Sequence, residues 1–128
     1  MQTRILSAAA VLGFTAIVLG AFGAHALRAV LSADQLTSFE TGVKYQMYHA
    51  LFLLFLGTTA VLSDKARRGI YRLTVIGVVL FSFSIYLLTT RNLTGIDLKP
   101  IGFITPIGGL LLIVAWFWLF VDLIRKKS

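Results

Sequence analysis

The run ILSAAAVLGFTAIVLGAFGAHAL, Ile5 to Leu27, decides the fold. It holds no Asp, Glu, Lys or Arg. It also exceeds the roughly 20 residues that a helix rising about 1.5 Å per residue needs to cross about 30 Å of hydrocarbon. Three more runs have this character. Val43 to Leu62 carries only Lys44, at its start; Gly69 to Thr90 carries only Arg72; Ile101 to Val121 carries no charge. A spanning segment must satisfy its own backbone polar groups, so these runs read as helices. The expectation is an all-α integral membrane four-helix bundle. It forms one four-span domain over residues 1–128, with spans at about 5–27, 43–62, 69–90 and 101–121.

The first run has some marks of a signal peptide: Arg4 before it and the A-x-A pattern Ala24-His25-Ala26. Its apolar stretch, Ile5 to Phe22, is long for a signal h-region, and it is read as a retained span.

Composition supports the membrane reading. A 58% hydrophobic, 13% charged chain with mean hydropathy +0.89 is far from the roughly 45–50% and 25% of soluble domains. In a soluble chain the net charge of +7 would suggest nucleic acid. Here it reads as loops beside anionic headgroups. The expected partners are membrane lipids, a second copy of the chain or another membrane protein, with no nucleic acid. The absence of cysteine removes disulfides, thiolate metal sites and c-type haem attachment.

With four spans, both termini and the middle loop share one side. Arg4, Lys65, Arg67, Arg68, Arg72, Arg125, Lys126 and Lys127 fall there, eight in all, against Arg28, Lys44, Arg91 and Lys99 opposite. The bias puts both termini in the cytoplasm. Lys65, Arg67, Arg68, Arg72, Arg125, Lys126 and Lys127 are the candidate contacts to anionic lipid.

Between the first two spans, Ser32-Ala33-Asp34-Gln35 fits a capping box, and Leu36, Phe39 and Val43 recur at helical spacing. Either a short interfacial helix covers 33–42, or the second span begins early, with Gly42 the expected bend. RNLTGIDLK, Arg91 to Lys99, reads as a turn and short loop. Pro100 and Pro106 bracket the start of the last span, where lost backbone bonds do least harm.

On this topology the polar residues converge on the outer half: His25, Tyr45, Gln46, His49, Tyr86, Arg91 and Thr105 form a candidate cluster. Gln46 and His49 share a helix face at i, i+3, and Tyr45 and His49 at i, i+4. Gly13, Ala16, Gly20 and Ala24 make a small-residue stripe that admits a close neighbouring helix. Trp116 and Trp118 read as an interfacial aromatic anchor near the cytoplasmic side.

GAFGAH, SFETGVKYQMYHAL, FSFSIYLLT and ITPIGGLLLIVAW, in that order, resemble the small membrane proteins of the YgdD/YwdK type, the family called domain of unknown function 423. The resemblance covers nearly the whole chain. Phe83 stands where members commonly carry a glycine, as in FSGS. The resemblance implies a four-span bacterial inner (plasma) membrane protein with relatives in eukaryotes, and it supplies no activity and no catalytic residues.

Four functional readings follow. A metal or haem site on His25 and His49 lacks a third ligand, unless Glu40 or Asp34 folds over. The plainer account makes the histidines a polar latch between helix ends. A transporter or channel lacks an intramembrane carboxylate, since Asp34, Glu40, Asp64, Asp97 and Asp122 all lie outside or at the ends of the spans. An enzyme acting on lipid headgroups has acid–base candidates in histidine, Glu40 and Tyr45, and Arg91 for a phosphate, but no strong motif. The reading retained is a non-enzymatic protein without cofactor or metal, structural or binding lipid or a partner, with a role in envelope integrity. Transport is the alternative, ahead of a His-ligated metal or haem protein.

Overall fold

A computed structural model describes residues 2–90 and 102–127. The side chains of Ala24, Lys126 and Lys127 lie outside the described set, as does Arg91. The described residues form four long helical segments: α1 over Gln2–Leu27, α2 over Ala33–Thr58, α3 over Asp64–Thr89 and α4 over Ile104–Lys127. α1 and α3 each contain a widened π turn, at Leu19–Gly23 and Val79–Phe83. α1, α3 and α4 (as Ile104–Arg125) are long and apolar enough to cross a membrane.

α2 differs for a reason visible in its residues. Its first half carries Asp34, Glu40 and Lys44, and its uncharged part runs only from Tyr45 to Thr58. That part rises about 21 Å, short of the roughly 30 Å of hydrocarbon. The helix also stops at Thr58 rather than near 62, and α3 starts at Asp64 rather than 69. Segment 33–42 is continuous with the rest of α2, and Gly42 lies inside the helix without a break.

The ends are set by local chemistry. Ser32 accepts from the Gln35 N–H at 3.1 Å while the Gln35 side chain accepts from the Ser32 N–H at 3.0 Å, a complete capping box. Ser63 caps α3 by accepting from the Ala66 N–H. Asp34 and Asp64 sit in first turns, where the helix dipole favours negative charge.

α1 packs along α2, α3 along α4, and α2 touches α3. The small-residue stripe of α1 faces α2: a Cβ on Gly13 would touch Ala50, and one on Gly20 would touch Val43 at 3.3 Å. Ala16 is buried on the same face. The π turn then places Gly23 against the Phe39 ring. α3 and α4 meet backbone to backbone at Gly108, where a Cβ would collide with the backbone of Phe81, Gly77 and Leu80. The core joins Ile5, Leu53, Leu56, Ile70, Val78 and Ala115.

The surface inverts that of a water-soluble protein. Phe14, Ile17 and Phe22 on α1, and Leu110, Ile113, Phe117 and Phe120 on α4, are all exposed, Phe22 to 73%. The buried polar side chains among the described residues, Gln46, His49, Arg67, Thr74, Ser82, Ser84 and Thr89, belong to α2 and α3.

Candidate functional site

Gln46 is fully buried at the junction of three helices. Its Nε2 donates to the Leu12 carbonyl at 2.9 Å and to Thr15 Oγ1 at 2.6 Å, and its Oε1 accepts from the Tyr86 hydroxyl at 2.6 Å. The amide orientation is forced: a backbone carbonyl can only accept, so the atom beside Leu12 O must be the NH₂ group. Thr15 passes its own proton to the Val11 carbonyl at 2.7 Å. The result is a directional chain Tyr86, Gln46, Thr15, Val11 linking α3, α2 and α1. Beside it, the Ser82 hydroxyl donates to the Gly42 carbonyl at 2.8 Å. The Tyr86 ring lies where a Gly42 side chain would be, and it packs on Phe39.

His49 belongs to a second tie. Its Nδ1 lies 2.7 Å from the Tyr45 carbonyl, and Trp116 Nε1–H donates to its Nε2 at 3.1 Å. An indole N–H only donates and a carbonyl only accepts, so the ring carries its proton on Nδ1 and presents a lone pair to Trp116. Both nitrogens are thereby committed, and α2 is joined to α4. Tyr45 contributes its ring, against Phe81 at 5.0 Å and stacked with His49. A third tie joins α3 to α4 through the Ser84 and Thr105 hydroxyls.

The expected outer-half cluster is therefore divided among separate helix pairs. Gln46 and Tyr86 meet directly; His49 pairs with Trp116, and Thr105 with Ser84. His25 is exposed near the end of α1. Gly23 lies against Phe39, ten residues before His49 on α2, and His25 is two residues further out on α1, so the two histidines differ in depth by about 18 Å. The two do not share a depth because α2 begins at Ala33, which sets His49 sixteen residues inside the helix.

At the opposite end, Arg67 departs from its expected place among the lipid-facing cations. It is buried, 6% exposed. Its Nε donates to the Leu56 carbonyl at 3.2 Å, Nη2 to the Thr59 carbonyl at 2.6 Å and Nη1 to Asp64 at 3.0 Å. Carbonyls left over at a helix C-terminus attract a cation, and the tight α2–α3 connection brings one within reach. Asp122 of α4 accepts from both the backbone N–H and the hydroxyl of Ser63 at 3.2 Å. Lys65, Arg68, Arg72 and Arg125 are exposed at this end.

The interhelical bonds of Thr15, Trp116, Ser63 and Asp122 escape the sequence reading. A Thr in an apolar run reads as bonded to its own helix, which Thr15 also is. Trp116 reads as an interfacial anchor, and in the structure it bonds a side chain of α2. Trp118 covers Gly69, where a Cβ would strike its ring.

Polar side chains bonded inward and large apolar ones turned outward define an all-helical, multi-pass membrane protein. Residues 19–109 match the family model described as "Protein of unknown function (DUF423)", and the chain belongs to that family. It is 35% identical over 128 residues to a UPF0382 membrane protein of Haemophilus influenzae, covering 100% of this chain and 99% of the relative. It is 42% identical over 106 residues to a UPF0382 membrane protein of Staphylococcus saprophyticus, covering 83% and 84%. It is 34% identical over 122 residues to the UPF0382 inner membrane protein YgdD of Escherichia coli, covering 93% and 88%. The chain is a protein of the inner (plasma) membrane. No solved structure matches it.

Proposed function

We propose that the chain is a four-span bundle with both termini in the cytoplasm, acting as a structural, lipid- or partner-binding protein that supports envelope integrity. The observation that carries this reading is the use made of the interior polar groups. Gln46, Tyr86, His49, Ser82 and Ser84 each bond a group within the bundle. Among the described residues no buried side-chain nitrogen or oxygen lacks a partner. Groups spent on holding helices together are poor candidates for carrying an ion or a proton. α2 crosses as the shielded member of the bundle, its polar first turns projecting on the outer side.

A cleft of about 450 Å³ at the outer end, lined by Asp34, Gln35, Ser38, Thr89 and Thr105 among others, is what favours the alternative of small-molecule transport. Reconstitution into liposomes separates the two. The scaffold reading expects proton, sodium and potassium flux no greater than in empty liposomes, and increased entry of an impermeant dye into cells lacking the chain. Protein-dependent, saturable flux overturns it.

A further inference from the structure

α1 and α3 leave an open groove on one side of α2, and its lining changes character along its length. Near the N-terminus of α1 lies a polar recess of about 450 Å³ lined by Gln2, Asp64, Arg67 and Arg68. Next comes a furrow of about 360 Å³ with Arg4 at its mouth and Ala8, Val11, Leu12 and Val75 along its walls. Val11 and Leu12 are shared with a third stretch of about 570 Å³, which Phe14, Phe83 and Leu87 continue. The furrow and the third stretch thus join Arg4 to a hydrocarbon-lined path, with the polar recess about one turn away on the same two helices.

Two features identify what fits it. The first is charge. Arg4 and Arg68 are exposed at the mouth, and Lys65, Arg68 and Arg72 follow at i, i+3 and i+7 on one face of α3. The carboxylate at the mouth, Asp64, is held by Arg67 at 3.0 Å. The second is length. From Arg4 to Thr15 the helix rises about 16 Å, close to half of the roughly 30 Å hydrocarbon thickness. At that depth Thr15 and Tyr86 enter the lining, beside the bonds of Gln46.

We infer that the α1–α3 groove is a binding site for one anionic glycerophospholipid of the cytoplasmic leaflet, its phosphate between Arg4 and Arg68 and one acyl chain along Val11, Leu12 and Val75. The assignment rests on the proposed orientation and deepens the lipid-binding reading. An acyl chain supplies the dispersion contacts that a packed helix would otherwise make. The headgroup takes charge-assisted bonds from guanidinium groups, which suit phosphate oxygens.

The test is native mass spectrometry of the full chain in non-ionic detergent, titrated with phosphatidylglycerol and with phosphatidylcholine of the same acyl chains. Wild type should retain one phosphatidylglycerol preferentially. R4Q/R68Q should weaken that binding about thirtyfold, at about 1 kcal/mol per cation. R28Q/K44Q removes the same charge elsewhere and should bind as wild type. Val11 is exposed on α1, so V11W should fill the furrow and weaken binding without lowering Tm in detergent. Equal loss in R28Q/K44Q, wild-type binding by R4Q/R68Q, or disulfide cross-linking of V11C between two copies in native membranes would overturn the site. Those results without liposome flux leave the scaffold reading standing, whereas flux removes the scaffold reading whichever lipid binds.

Discussion

Replacing Gln46 by Leu leaves an apolar side chain of comparable bulk and deletes its three bonds, to Leu12 O, Thr15 Oγ1 and the Tyr86 hydroxyl. Interhelical polar bonds in membranes average about 0.6 kcal/mol and reach about 1.7, so the three sum to about 2 kcal/mol. Q46L also strands the Tyr86 hydroxyl, a further cost of about 1–3 kcal/mol where water cannot reach it. Y86F strands Gln46 Oε1 in the same way, whereas Q46L/Y86F strands neither. The double mutant should therefore be more stable than the sum of the singles implies, by about 2.5 kcal/mol or more, since the sum counts two stranding penalties that the double lacks and the shared bond twice. The assay is reversible unfolding in mixed micelles, fitted for all four members of the cycle. Q46L combined with R67M, at the other end of the bundle, supplies an additive control. A Q46L/Y86F coupling below about 0.5 kcal/mol would refute the claim that this bond joins α2 to α3.

Three further outcomes are expected from the same assay. R67M keeps the apolar stem but leaves the Leu56 and Thr59 carbonyls without their cation, and it should cost about 2–3 kcal/mol; a loss under about 0.5 kcal/mol would count against Arg67 as the α2–α3 clasp. G108A drives a methyl into the backbone of α3 and should cost about 1–3 kcal/mol or more, while G102A, with nothing within 4 Å, should stay within about 0.5 kcal/mol. Equal stabilities would show that the helices do not touch there. W116F removes the donor to His49 Nε2 and should cost about 1 kcal/mol; the loss should vanish in an H49F background and would be untouched by it if Trp116 acts only as an anchor.

Hydropathy and the absence of charge made α1, α3 and α4 legible, because a span long enough to cross the bilayer announces itself in one dimension. The Ser32–Gln35 capping box was legible for the same reason: its partners lie three residues apart. Contacts between helices were readable only in kind. Gln46 and Tyr86 read from the sequence only as polar residues of one half of the bundle, because their mutual bond depends on the rotation of α2 against α3. Two π turns alter that rotation, and neither has a sequence signature of its own. Arg67 is ambiguous in the sequence because a cation beside a span reads equally as a headgroup contact or as a helix cap. Only the five-residue gap between Thr58 and Asp64, folded back on itself, decides for the cap.

The placement of α2 explains why the least apolar helix can be the one the others are built around. α1 and α3 both pack against it, and His49 reaches α4. Its Gln46 and His49 would each carry a desolvation penalty if they faced lipid alone. Inside the bundle the penalty is offset by Leu12, Thr15 and Tyr86 for one and by Tyr45 and Trp116 for the other. α1 and α4, which supply the exposed Phe14, Phe22, Phe117 and Phe120, can settle in hydrocarbon without partners. On the four-span reading the physics therefore orders assembly: α2 gains a stable place only once α1 is beside it to receive Gln46 and α3 to supply the Tyr86 hydroxyl. The same dependence accounts for the small-residue face of α1. Gly13, Ala16 and Gly20 bring the α1 backbone close enough for the Leu12 carbonyl to meet the Gln46 amide, so the stripe and the polar tie serve one contact.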